Sequence, residues 1–160
     1  MARIASQEAL KPSIIDRLID PESDGTNWRR GYSIEQMVDA VRKDVEDLLN
    51  SHRASQEVPE ELVEVRKSIV AYGLPDLVSY QSAGPGGARQ IGEAIEEAIS
   101  LYEPRLSNVR AILIESTGIK SLKLDFEIQA TLRVDPSPEV SFVTVLKLTT
   151  GEASIERTNR

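Results

Sequence analysis

A change of hydrophobic period at Pro104 constrains this chain more than any other feature. Downstream of it, Leu122, Leu124, Phe126, Ile128, Ala130 and Leu132 alternate strictly with Ser121, Lys123, Asp125, Glu127, Gln129 and Thr131. A period of two puts each set on its own face of a strand, so one face is buried and the other is wet. Ser107–Ser116 reads as a preceding strand with an almost continuous apolar centre. After the turn residues Asp135-Pro136-Ser137-Pro138, Val140–Thr149 reads as a third strand. Its second face carries Val143 and Val145, which implies partial cover. A short fourth strand is expected within 152–156.

Upstream of Pro104 the period is helical. Ser33 and Gln36 form a capping-box pattern, and Ile34, Met37, Val38, Val41, Val45, Leu48 and Leu49 fall on one face, predicting a helix that ends near Ser51-His52-Arg53. Asp39, Asp44, Glu46 and Asp47 then occupy a solvated side. A second helix is expected from Pro59 to Tyr72, buried through Leu62, Val65, Ile69 and Val70, with Gly73 as a left-handed stop. A third runs from Ala88 to Tyr102 with Ile91, Ala94, Ile95, Ala98, Ile99 and Tyr102 inward. Helices followed by an antiparallel meander of three to four strands make an α+β domain over 32–160. Residues 1–31 read as an N-terminal arm with one short helix, begun by Pro12-Ser13 and stopped at Asp20-Pro21. The loop that follows carries Trp28-Arg29-Arg30, and Ser82–Gly87 reads as a flexible loop.

Composition removes several chemistries. The chain has no cysteine, which excludes disulfides, thiolate catalysis and Cys-ligated metal. Its one histidine, His52, excludes a two-His metal motif and reads as a helix-end residue. A formal charge of −7 argues against a protein that works by neutralising phosphates. The N-terminus has no apolar core of a secretory signal, and no stretch approaches the roughly 18 apolar residues of a membrane span. A soluble intracellular protein with no cofactor, no nucleic-acid partner and no membrane insertion is the expectation. No acid pair stands out for general acid–base work, because Glu93, Glu96, Glu97, Asp125 and Glu127 all fall on polar faces. No catalytic residue is assigned.

Glu103-Pro104-Arg105 is the local feature that most invites a function. Proline fixes its own φ and prevents the helix from continuing, so the two charges sit on a stiff corner. They can pair with each other or satisfy the helix end; alternatively they are presented to the charges of a partner.

At this corner the chain resembles the TssE subunits of type VI secretion system baseplates, within the wider contractile-phage baseplate wedge family once labelled lysozyme-like. Four segments carry the resemblance: Ser13–Leu18, Val41–Asn50 followed by Arg53, Tyr72-Gly73-Leu74-Pro75-Asp76-Leu77, and Tyr102-Glu103-Pro104-Arg105-Leu106. The resemblance implies a non-enzymatic structural subunit of a cytoplasmic baseplate at the inner face of the inner membrane. It would help assemble the wedge and start contractile sheath polymerisation, with other wedge subunits and sheath proteins as partners. It assigns partner binding to Glu103, Pro104 and Arg105, supported by the loop Tyr72, Gly73, Leu74, Pro75 and Asp76. It also implies that the terminal strands offer an edge to a neighbour's strand. A regulatory adaptor of the same fold and, further off, a peptidoglycan hydrolase are the alternatives.

Overall fold

The computed structural model describes residues 10–19, 31–54, 58–59, 61–77, 80, 85–114, 123–135, 138–147 and 152–157. Four strands form one antiparallel meander in the order β1 (Leu106–Ile114), β2 (Lys123–Leu132), β3 (Glu139–Lys147) and β4 (Ala153–Arg157). Among the described residues the α+β expectation holds, with four strands. Phe126, Ile128, Ala130 and Leu132 of β2 and Val140 and Phe142 of β3 are buried, as their alternation requires.

That apolar sheet face is covered by two long helices, α2 (Ile34–Asn50) and α4 (Pro85–Tyr102). The first begins with the expected capping box: Ser33 Oγ accepts from Gln36 N at 3.2 Å, and Ser33 N donates to Gln36 Oε1 at 2.9 Å. Met37, Val38, Val41, Val45, Leu48 and Leu49 are its buried face. The second buries Ile91, Ile95, Ala98 and Ile99 at helical spacing. It starts at Pro85, three residues before the predicted Ala88, because proline serves well in the first turn of a helix, where its missing N–H has no partner to lose. Gly86 and Gly87 therefore lie in a helix rather than a flexible loop, while 81–84 fall outside the described residues.

The arm contains the expected short helix α1 (Ile14–Ile19), capped by Ser13 Oγ accepting from Asp16 N at 3.0 Å. It is tied to the domain where Tyr32 N donates to Leu10 O at 2.6 Å. Trp28-Arg29-Arg30 lies outside the described residues.

The segment 59–72 differs from its prediction. Among its described residues it forms only α3 (Val63–Arg66) and a 3₁₀ turn over Ile69–Ala71, and the face expected to be buried is exposed, Ile69 to 86%. The apolar spacing is helical, but the neighbouring space is already filled. Leu74 and Leu77, just downstream, enter the core instead. A helix this short gains little from propensity without such packing.

β1 also carries a bulge. Its register to β2 slips between Ser107 and Arg110, and Asn108 takes a left-handed φ of 54°. Asparagine is one of the few residues that enters this region at low cost.

Candidate functional site

The segment linking α4 to β1 holds the corner predicted from sequence. Glu103 N still donates to Ile99 O at 2.9 Å, as the last turn of a helix does, and Leu106 N donates to Glu103 O at 3.1 Å to start the strand. Pro104 stands exposed at the apex. Arg105 O accepts from Arg133 N at 2.8 Å, which fastens the corner to the far end of β2.

Glu103 is 4% exposed, and with Thr144 its side chain is one of two buried polar ones among the described residues. A buried carboxylate needs several donors to replace water. Here Arg105 supplies them: its backbone N at 3.0 Å and its Nε at 2.6 Å reach Glu103 Oε1, and its Nη2 bonds Glu103 Oε2. The same Nη2 reaches Asp44 Oδ2 on α2 at 2.5 Å. The hydrogen bonds that the guanidinium donates to Glu103, reinforced by the one to Asp44, raise its pKa and keep it charged, although burial works the other way. Of the two readings open at sequence level, the structure realises internal pairing. The Glu103 carboxylate is buried, whereas Pro104 is exposed and the Arg105 side chain keeps 28% of its surface in solvent.

Asp44 is the member of this cluster that sequence reasoning missed. It sits on the polar side of α2, 61 residues from Arg105, and its one available signal was its place within the Val41–Asn50 segment.

The predicted supporting loop lies beside the corner. Tyr72 and Tyr102 meet edge to face, with ring centroids 5.1 Å apart and planes at 67°. Tyr102 Oη donates to Ser68 O at 3.0 Å, holding the 61–71 segment against α4. Burial raises the Tyr72 pKa, and the carboxylates of Asp44, Asp47 and Glu103 raise it further. Gly73 has φ +101°, and a Cβ there would sit 2.2 Å from Ser51 O. That close approach lets Leu74 N donate to Ser51 O at 2.8 Å and Arg53 N to Leu74 O at 3.0 Å, a short parallel bridge at His52. Of this loop, Tyr72 lies near Glu103 and Asp44, while Gly73 and Leu74 join the end of α2 at Ser51–Arg53. Pro75 is half-buried, Asp76 is exposed, and His52 is an exposed helix-end residue.

The sheet edges behave differently from the expectation that terminal strands lie open. On β4 the outward groups of Ala153 and Ile155 are taken by α2. Asn50 donates to Ala153 O and accepts from Ala153 N, both at 2.9 Å, while Glu46 accepts from Ile155 N and Arg42 donates to Ile155 O, both at 3.2 Å. Strand addition there would first have to break four hydrogen bonds. On β1, Glu96 of α4 accepts from Ala111 N at 2.9 Å, and alternation then turns the N–H and C=O of Leu113 outward as well.

Among the described residues, no group of three or more His, Asp or Glu side chains is placed to hold a metal, and no helix is long and apolar enough to cross a membrane.

The family described as "Baseplate wedge protein gp25" matches residues 35–137, which include α2, the 72–77 loop and the corner. Among solved structures, a chain of "The baseplate complex from the type VI secretion system" aligns at 23% identity with a TM-score of 0.47. The alignment covers 69% of this chain and 94% of that one. No curated protein matches significantly.

Proposed function

Because the chain belongs to the baseplate wedge protein gp25 family, we propose that it is a non-enzymatic structural subunit of a type VI secretion baseplate. It would join other wedge subunits and provide the platform on which sheath polymerisation starts. The observation that carries this reading is the family match over residues 35–137, which contains every residue of the corner. The TssE-like Tyr-Gly-Leu-Pro-Asp loop and Glu-Pro-Arg corner support the type VI assignment, and with it a site of action at the cytoplasmic face of the inner membrane.

In this reading Glu103 is the anchor of the corner and Arg105 its contact group. Glu103 fixes the guanidinium from within, so that the outer edge of Arg105 and the ring of Pro104 meet the partner in one orientation. A pre-set guanidinium fork gives geometric specificity to a carboxylate or carbonyl cluster at little entropic cost. The neighbour's strand, where one is added, has its more open edge at Leu113 rather than on β4.

Deleting the gene and imaging a fluorescent sheath protein tests the reading. Loss of sheath assembly, restored by the intact gene, with other wedge subunits co-purifying with the tagged chain, supports it. Normal sheaths without the gene overturn it in favour of an adaptor.

A further inference from the structure

The two edges of the sheet are treated unequally. The exposed end of β1 is apolar: Ile112, Leu113 and Ile114 are 47%, 41% and 38% exposed, and Glu96 takes up Ala111 N beside them. An apolar edge strand is a template on which another strand can add. On β4, by contrast, the outward groups of Ala153 and Ile155 are all taken by one flank of α2.

That flank imitates a strand. Arg42, Glu46 and Asn50 stand at i, i+4 and i+8, about 6 Å apart along the helix, and alternate residues of β4 are about 6.8 Å apart. The three side chains therefore meet Ala153 and Ile155 as a neighbouring strand would, with an acceptor for each N–H and a donor for each C=O. Their remaining groups are tied as well. Asn50 Nδ2 also donates to Glu46 O at 2.9 Å, and Arg42 Nη1 donates to Glu46 Oε2 at 3.2 Å.

The sheet is otherwise suited to continue from copy to copy. Neighbouring strands alternate in direction from β1 to β4, so β1 of a next copy laid against β4 extends the same antiparallel order. The helix layer extends with it, because α4 packs on β1 and α2 on β4. Two helices about 10 Å across match four strands spaced by about 4.8 Å, so the next copy's α4 has room beside α2. Such a junction is head to tail and does not close, and each addition leaves the same two edges for the next.

We propose that Arg42, Glu46 and Asn50 form an edge seal that keeps copies of this chain from pairing β4 to β1 in an open-ended run. Every junction needs one β4 and one β1. Sealing β4 alone therefore stops the run and leaves the apolar β1 edge available to a different partner. The seal is a property of the chain by itself and does not rest on the baseplate reading.

The test compares the full chain with Glu46→Ala/Asn50→Ala by hydrogen exchange in dilute solution and by sedimentation across a concentration series. In the double variant the amides of Ala153 and Ile155 should exchange at least about tenfold faster, while that of Ser154, which faces β3, is unchanged. Its sedimentation coefficient should climb with concentration without a plateau, whereas the parent stays monomeric. Adding Leu113→Pro, which removes an outward N–H of β1 and spares the ladder to β2, should abolish that climb. Glu46→Gln keeps an acceptor for Ile155 N and should stay monomeric. If the double variant does not fold, Glu46→Ala alone is read in the same way. The proposal is overturned if the Ala153 and Ile155 amides keep their protection, if the opened variant stays monomeric, or if its assembly persists with Leu113→Pro.

Discussion

Glu103 and Arg105 flank a single proline, and the arginine satisfies the buried glutamate through its backbone N, its Nε and its Nη2. Two residues that by sequence could either pair with each other or be presented to a partner are thereby one structural unit, which also reaches across to Asp44 on α2. Whatever meets this corner meets an arginine held from behind.

That arrangement sets an order of stability costs. Removing the arginine strands a buried carboxylate, whereas removing Asp44, whose side chain is 39% exposed, leaves the main pair intact. Arg105→Ala is expected to cost about 2–4 kcal/mol and Asp44→Asn about 0.5–1 kcal/mol. Urea denaturation of both variants checks this. Equal costs would show that Glu103 is not the principal partner. Arg105→Glu would gather three carboxylates at one corner and unfold it, so it is unsuited to separating binding from folding.

Gly73 is expected to tolerate no side chain. Gly73→Ala combines a left-handed φ with a Cβ 2.2 Å from Ser51 O. The variant should lose at least about 3 kcal/mol and break the bridge between His52 and Leu74. A melt within 2 °C or so of the parent would contradict the geometry.

Thr144 is fully buried on β3, and among the described residues its hydroxyl has no partner. Thr144→Val keeps the shape and removes the unsatisfied group. It is expected to raise stability by about 1 kcal/mol, read as a higher urea midpoint at unchanged slope. A lower midpoint would mean the hydroxyl is satisfied in solution.

Above pH 10 the two tyrosines enter the account. Burial is the first cause that lifts the pKa of Tyr72 and of Tyr102 above the ordinary 10.0. The unfolded chain therefore gives up these protons first, and fewer bound protons in the unfolded state make stability fall as pH rises. Their contribution is complete below pH 10 and disappears as pH climbs through the raised values. Tyr72→Phe should flatten that part of the profile in urea melts from pH 9 to 11. An unchanged slope would show that Tyr72 does not titrate in this window.

Much of this was legible in the residues, and the reasons differ by element. The strict alternation around Phe126 and the one-sided stripe from Met37 to Leu49 each fix a face, so the meander and α2 follow from period alone. The 59–72 segment misleads because its spacing is helical but the core is filled by Leu74 and Leu77, and competition for volume leaves no local trace. The corner was found from the stiffness of Pro104. Its inner half was not, because Asp44 lies 61 residues away on a face that reads as solvated. The closing of the β4 edge by Asn50, Glu46 and Arg42 was hidden for the same reason: contacts of 103 to 113 residues separation have no periodic signature.

The most direct test of the central claim is sheath counting by fluorescence microscopy in cells whose only copy carries Arg105→Lys. Lysine keeps the charge and one side-chain contact to Glu103 but lacks the planar guanidinium fork. The account predicts at least about a tenfold loss of sheaths, the effect of ~1.4 kcal/mol, with the purified variant still folded but less stable than the parent, since lysine cannot replace both the Nε and the Nη2 bond to Glu103. Normal sheath numbers would contradict it and remove Arg105 as the contact group of the corner.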